Sequence, residues 1–135
     1  IPVGALWARY DVARAFAPGD HGSTFSGTAL ATSAVLATIA EMRRIDAPAC
    51  AVVQGERLRK GLEKLSGVDS VRGLGLLLGA QLVDGIDAKV KQQELLAAGL
   101  VTNAVTPTAL RFAPPLNVSD AHVDEALEIV KQVLS

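Results

Sequence analysis

Between residues 71 and 83 the chain reads Val-Arg-Gly-Leu-Gly-Leu-Leu-Leu-Gly-Ala-Gln-Leu-Val, an apolar run interrupted by three glycines. Glycines in such a run permit bends and close backbone contact, and the run is predicted as strand. The segments around it have helical spacing instead. Asp46 is a predicted N-cap with Pro48 tolerated in the first turn, opening a second helix, or a kinked continuation of the one before, to about Leu65 along a seam of Leu58, Leu62 and Leu65. Asp87 is predicted to cap a helix through Ala98, closed by Gly99 at the left-handed position. Ser119 starts another, whose Val123, Leu127, Val130 and Leu134 fall on one face with Glu125 and Glu128 turned away. Residues 100–104 and 109–113 are predicted short strands separated by Thr106-Pro107, the second stopped by Pro114-Pro115. Strands joined by amphipathic helices imply an α+β layer, a small sheet covered by helices, from about Val68 onward.

The first part does not fit that layer. Residues 1–7 are predicted as a buried strand, where native termini rarely lie, so the chain is expected to be a piece of a longer protein. Residues 10–16 are a predicted short helix ended by Pro18-Gly19. Residues 28–45 are a predicted long helix with Val35, Ile39 and Met42 on one face. The expected division is therefore 1–45, the end of a neighbouring domain and the start of a bridging helix, and 46–135, a small α+β domain.

Half of the residues are apolar and only 4% aromatic, so the core must be aliphatic. A net charge of -1 leaves no basic surplus for a phosphate backbone, which argues against nucleic acid as a partner. The single cysteine, Cys50, has no partner within the chain for a disulfide. With no signal-like segment and no apolar stretch fit to span a bilayer, the expected compartment is the cytoplasm, with no membrane partner.

Residues 20–27, Asp-His-Gly-Ser-Thr-Phe-Ser-Gly, place two glycines and three hydroxyls just ahead of the long helix. Glycine lets backbone approach an anion closely, and N–H groups at a helix start point outward, so this is a candidate phosphate-holding turn. The plainer reading is that Ser23 or Thr24 caps the helix. Arg111, set in Ala109-Leu110-Arg111-Phe112-Ala113, needs an anion. It is a candidate carboxylate clamp, with a structural salt bridge as the alternative. Arg72 is expected to be structural, with Asp69 as its partner. His21 reads as a turn residue, Cys50 as a small buried hydrophobe, and Arg57-Leu58-Arg59-Lys60 as solvated helix face. His21, His122 and Cys50 are too scattered for a metal site.

Four segments, in order, resemble the C-terminal part of the class III, pyridoxal-phosphate-dependent aminotransferases. They are Ile1-Pro2-Val3-Gly4-Ala5, Pro18-Gly19-Asp20-His21-Gly22-Ser23-Thr24-Phe25, Val71-Arg72-Gly73-Leu74-Gly75-Leu76 and Leu110-Arg111-Phe112-Ala113-Pro114-Pro115-Leu116. The resemblance covers nearly the whole chain. It implies a remnant of the large α/β domain of a fold type I transferase, a bridging helix, and the small C-terminal domain. It also implies a homodimer in which Thr24 reaches the phosphate of the partner subunit's pyridoxal 5'-phosphate. Ser23 would then lie at the substrate site and Arg111 would hold the α-carboxylate of the amino-acid substrate.

Two departures stand out. After Phe25 the family commonly has Gly-Gly-Asn-Pro-Leu-Ala, where this chain has Ser26-Gly27-Thr28-Ala29-Leu30-Ala31. The family's Schiff-base lysine belongs a few residues before the segment matching Ile1, and the first lysine here is Lys60. No catalytic residue is therefore expected within these 135 residues, which are expected to be inactive alone and to bind cofactor weakly or not at all. For the intact protein the resemblance implies transfer of the terminal amine of N2-acetylornithine to 2-oxoglutarate. Ornithine, succinyl-diaminopimelate or 4-aminobutyrate are alternative donors, and a non-catalytic α+β ligand-binding module is the reading from a different class.

Overall fold

The computed structural model describes residues 1, 3–20, 22, 24 and 27–135. They fall into two compact units, Ile1–Arg44 and Ile45–Ser135. In the first unit, α1 (Tyr10–Ala13) is shorter than the predicted 10–16 segment, and Asp20 accepts a hydrogen bond from the Ala17 N–H at 2.6 Å across the Pro18-Gly19 turn. α2 (Ala29–Arg44) is long and alanine-rich, with Arg43 and Arg44 at its negative C-terminal end. Thr28 begins it: Oγ1 accepts from the Ala31 N–H at 3.3 Å, and its carbonyl accepts from Thr32 at 2.9 Å.

The strand predicted over residues 1–7 is not formed among the described residues, 1 and 3–7. A strand exists by exchanging hydrogen bonds with a neighbour, and the ladders among the described residues all lie between Val68 and Phe112. Its large apolar side chains are accordingly exposed, Trp7 to 86%.

The second unit runs α3 (Ala47–Leu62), β1 (Val68–Leu74), β2 (Leu77–Leu82), α4 (Ala88–Ala97), β3 (Asn103–Thr106), β4 (Ala109–Phe112) and α5 (Asp120–Leu134). The four strands pair antiparallel in the order β1-β2-β4-β3. The run predicted as one strand is a hairpin. Leu74 pairs with Leu77 around a two-residue turn, Gly75-Leu76, with Gly75 at φ +53°. Gly73 is equally constrained: its φ is +135°, and a Cβ there would collide with the Leu77 carbonyl oxygen.

Alternation puts Leu78, Ala80 and Leu82 of β2 and Leu110 and Phe112 of β4 on one face. They pack with Leu58 and Leu62 of α3, Leu95 of α4, and Val123, Val130 and Leu134 of α5 into one core. Each fully buried leucine or valine contributes about 1.5–3 kcal/mol. α3 stops at Leu62, short of the predicted Leu65, which lies in a turn and packs against the core from its margin. Gly55 lets α3 rest on the hairpin, because a Cβ there would collide with the Gly75 backbone.

Two arginines predicted as free surface have structural work. Arg57 reaches from α3 to Asp124 and Asp120 of α5, at 2.5 and 3.1 Å. Arg59 donates to the Val71 and Gly73 carbonyls of β1 at 2.6 and 2.9 Å. Gln92 of α4 does the same for the opposite edge, its Oε1 accepting from the Ala104 N–H of β3 at 3.0 Å.

Asp87 and Ser119 cap α4 and α5 as predicted. Asp87 accepts from the N–H groups of Lys89 and Val90, and Ser119 from that of His122. Asp46 departs from prediction. It is left-handed (φ 48°), its side chain makes no capping bond, and only its carbonyl engages α3, accepting from the Cys50 N–H. Among the described residues no helix is long and apolar enough to cross a membrane.

Candidate functional site

Because Leu110 and Phe112 enter the core, Arg111 between them is turned to the face of the sheet away from the helices. The register extends this position across the sheet. Arg72 of β1 stands opposite Gly79 of β2, Gly79 opposite Arg111 of β4, and Arg111 opposite Asn103 of β3. Residues opposite one another in antiparallel strands share a face. The open face therefore has a row Arg72, Gly79, Arg111, Asn103.

Arg111 is exposed, and its Nη2 donates to Asn103 Oδ1 at 3.0 Å. A neutral amide orients the guanidinium without compensating its charge. Among the described residues no carboxylate pairs with Arg111 or with Arg72. The expected Asp69–Arg72 pair is absent, since Asp69 falls where the β1 register shifts between Val68 and Ser70 while Arg72 is aligned with Gly79. Asn103 was not singled out by sequence reasoning. Its relation to Arg111 is a pairing register eight residues apart, and nothing in residue type or spacing announces it.

Thr24 is an exposed turn residue. The helix-capping role considered for it belongs to Thr28, four residues on, so the α2 start leaves the Thr24 hydroxyl unused. Ser23 and His21 lie outside the described residues. Thr24 and Arg111 belong to different units.

Other candidates have structural tasks. Cys50 is half-buried and its Sγ donates to the Ile45 carbonyl at 3.1 Å. His122 Nδ1 lies 3.0 Å from Ser119 Oγ at the start of α5. A cavity of about 380 Å³ is lined by Leu58, Phe112, Pro114, Val118, His122 and Val123 among others, and apart from His122 it offers no ionisable group to fix a charged ligand.

Relatives of known kind share this chain's sequence and fold. It is 41% identical over 138 residues to the acetylornithine aminotransferase of Caldanaerobacter subterraneus subsp. tengcongensis, a match covering 99% of this chain and 35% of that one. It is 42% identical over 135 residues to the acetylornithine aminotransferase of Bifidobacterium longum, covering 98% of this chain and 31% of that one. The ornithine aminotransferase from Toxoplasma gondii, crystallized with partial occupancy of PLP at its active site, superposes with a TM-score of 0.79 at 26% identity over 92% of this chain and 31% of that one. The chain thus spans about a third of the length of the relatives it matches. The family model for aminotransferase class-III matches residues 1–134, and the chain belongs to that family.

Proposed function

We propose that these residues supply the C-terminal third of an aminotransferase that moves the terminal amine of N2-acetylornithine to 2-oxoglutarate, as in arginine biosynthesis. In this reading residues 1–45 close the large cofactor-binding domain and begin the bridging helix, and residues 46–135 are the small domain. The observation that favours it is Arg111, a cation on an open sheet face, oriented by Asn103 and left without a carboxylate partner among the described residues. Ornithine is the second donor to test, because ornithine aminotransferases are among both the sequence relatives and the structural neighbours.

The donor set of the turn suits one part of pyridoxal 5'-phosphate. The unused Thr24 hydroxyl beside Gly22 and Gly27 suits phosphate oxygens, glycine allowing close approach. No lysine stands before Lys60, so this segment offers no amine to the cofactor aldehyde. When bound, the cofactor supplies an electron sink for amino-group transfer. The chain's residues hold and orient. Thr24 donates its hydroxyl to phosphate across a homodimer interface, and Ser23 helps place substrate beside it. Arg111 pairs with the substrate α-carboxylate through parallel N–H donors, fixing that end while the amine points to the cofactor.

The test is to express the full-length protein, load it with pyridoxal 5'-phosphate, and assay a panel of donors with 2-oxoglutarate. Glutamate formation is expected with N2-acetylornithine above ornithine, succinyl-diaminopimelate and 4-aminobutyrate. Absence of glutamate with every donor overturns the reading. The 135-residue chain alone is expected to show no turnover and no borohydride-fixed cofactor.

A further inference from the structure

A bulge in the β3–β4 pairing decides what stands beside Arg111. At the turn between these strands Thr106 pairs with Ala109, and an unbroken antiparallel ladder would continue with Val105 opposite Leu110 and Ala104 opposite Arg111. The register instead shifts between Ala104 and Thr106, so that Ala104 pairs with Leu110 and Asn103 with Arg111. A slip of one residue turns every side chain beyond it to the other face, so the extra residue does two things at once. Ala104 packs against the core, and the Asn103 amide, which would otherwise be turned to that core, joins the open face beside Arg111. The bulge is held from α4: Gln92 Oε1 accepts from the Ala104 N–H at 3.0 Å, and the fully buried Leu95 anchors the same helix.

Among the described residues the polar partner of the Arg111 side chain is Asn103. Its amide oxygen occupies Nη2 and leaves the Nε and Nη1 donors free to serve a ligand, and being neutral it leaves the positive charge of Arg111 uncompensated. An aspartate in the same place would accept the same bond and cancel that charge. We propose that Asn103 is a positioning residue for Arg111 and a determinant of its selectivity: the bulge brings it there, its hydrogen bond narrows the guanidinium to one orientation before binding, and its neutrality reserves the charge for an incoming carboxylate. The proposal rests on the reading of Arg111 as the clamp for a substrate carboxylate and adds the residue that sets the clamp. Ordering a long, flexible side chain in advance reduces the conformational entropy lost when the ligand arrives.

Binding can be tested without the reaction. Glutarate, a dicarboxylate with no amine or keto group, is titrated by calorimetry into the full-length protein loaded with pyridoxal 5'-phosphate. Asn103→Leu, close in size but without an acceptor, is expected to weaken glutarate about fivefold, the cost of ordering one long side chain at binding. Asn103→Asp keeps shape and acceptor, yet is expected to weaken it more, about tenfold or beyond, because Arg111 then has a carboxylate within the chain. That order separates the role from a merely structural one, under which aspartate would behave as wild type and leucine would be the worse variant. The KM for 2-oxoglutarate should rise in the same order, by more than kcat falls, and circular dichroism checks that each variant keeps the fold. Wild-type glutarate affinity in Asn103→Leu, or in Asn103→Asp, overturns the proposal. Arg111→Ala tells its failure from that of the clamp: unchanged glutarate binding in Arg111→Ala removes the clamp and this proposal with it, whereas weakened binding there beside wild-type affinity in both Asn103 variants leaves the clamp and removes only the role of Asn103.

Discussion

Asp46 holds a backbone conformation that costs most L-residues about 1–2 kcal/mol, and its φ of 48° has no side-chain bond to offset it. Asp46→Val is therefore expected to lower the unfolding free energy by about 1–2 kcal/mol, while Asp46→Gly leaves it unchanged or raises it slightly, measured by urea denaturation. The residue type suggested a cap, because aspartate before Ala47-Pro48 has the composition of one; the left-handed backbone is set by the turn out of the preceding residues and does not show in composition. Thr28 is the reverse case. Four hydroxyl residues, Ser23, Thr24, Ser26 and Thr28, precede α2, and only a fixed helix start distinguishes the one that caps. Arg111 was recognisable from its apolar neighbours, whereas Asn103 was not, since cross-strand pairing decides what stands beside it. On the proposed function, Arg111→Ala in the full-length protein is expected to lower kcat/KM for glutamate and 2-oxoglutarate about 10–100-fold, the worth of a charge-assisted paired contact. Unchanged kinetics with both would remove Arg111 from the substrate site.

Among the elements, α3 was placed well by its leucine seam, yet its two most demanding contacts came from a glycine and an arginine. Gly55→Ala improves helix propensity by roughly 1 kcal/mol, but the added methyl meets the Gly75 backbone, which cannot rotate aside. A net loss of about 1–3 kcal/mol is expected in chemical denaturation. The hairpin was hidden because Leu74, Leu76, Leu77 and Leu78 form a nearly continuous apolar string, so no polar residue marked the turn. The joint between α3 and α5 depends on pH through Asp124. The Arg57 guanidinium hydrogen-bonded to Asp124 holds its carboxyl below the usual carboxylate range. A depressed folded-state value means the contribution is fully present above that range and is lost as pH falls through the lowered value. Wild type should thus exceed Asp124→Asn in urea midpoint at neutral pH, and the two should converge only in stronger acid. Convergence at neutral pH would show the bridge to be without effect.

At the scale of the molecule, the core cluster is drawn wholly from Leu58 to Leu134. Removing residues 1–44 is therefore expected to leave residues 45–135 folded, with circular dichroism of an α+β protein and a cooperative thermal transition; loss of that transition would show the core to be insufficient. Helix periodicity and capping made this half readable from sequence. Residues 1–7 were misread because an apolar run is necessary for a buried strand but does not provide the neighbour that makes it one. In residues 1–44 the exposed Leu6, Trp7, Leu30 and Leu36 predict concentration-dependent association of the 135-residue chain, checked by light scattering, and weaker association once residues 1–44 are removed. The sheet margins are partly guarded against it. Arg59 holds the Val71 and Gly73 carbonyls at one edge and Gln92 holds the Ala104 N–H at the other, so a strand adding at either edge must first displace a side chain. A contact made broadside, on the open face, carries no such cost.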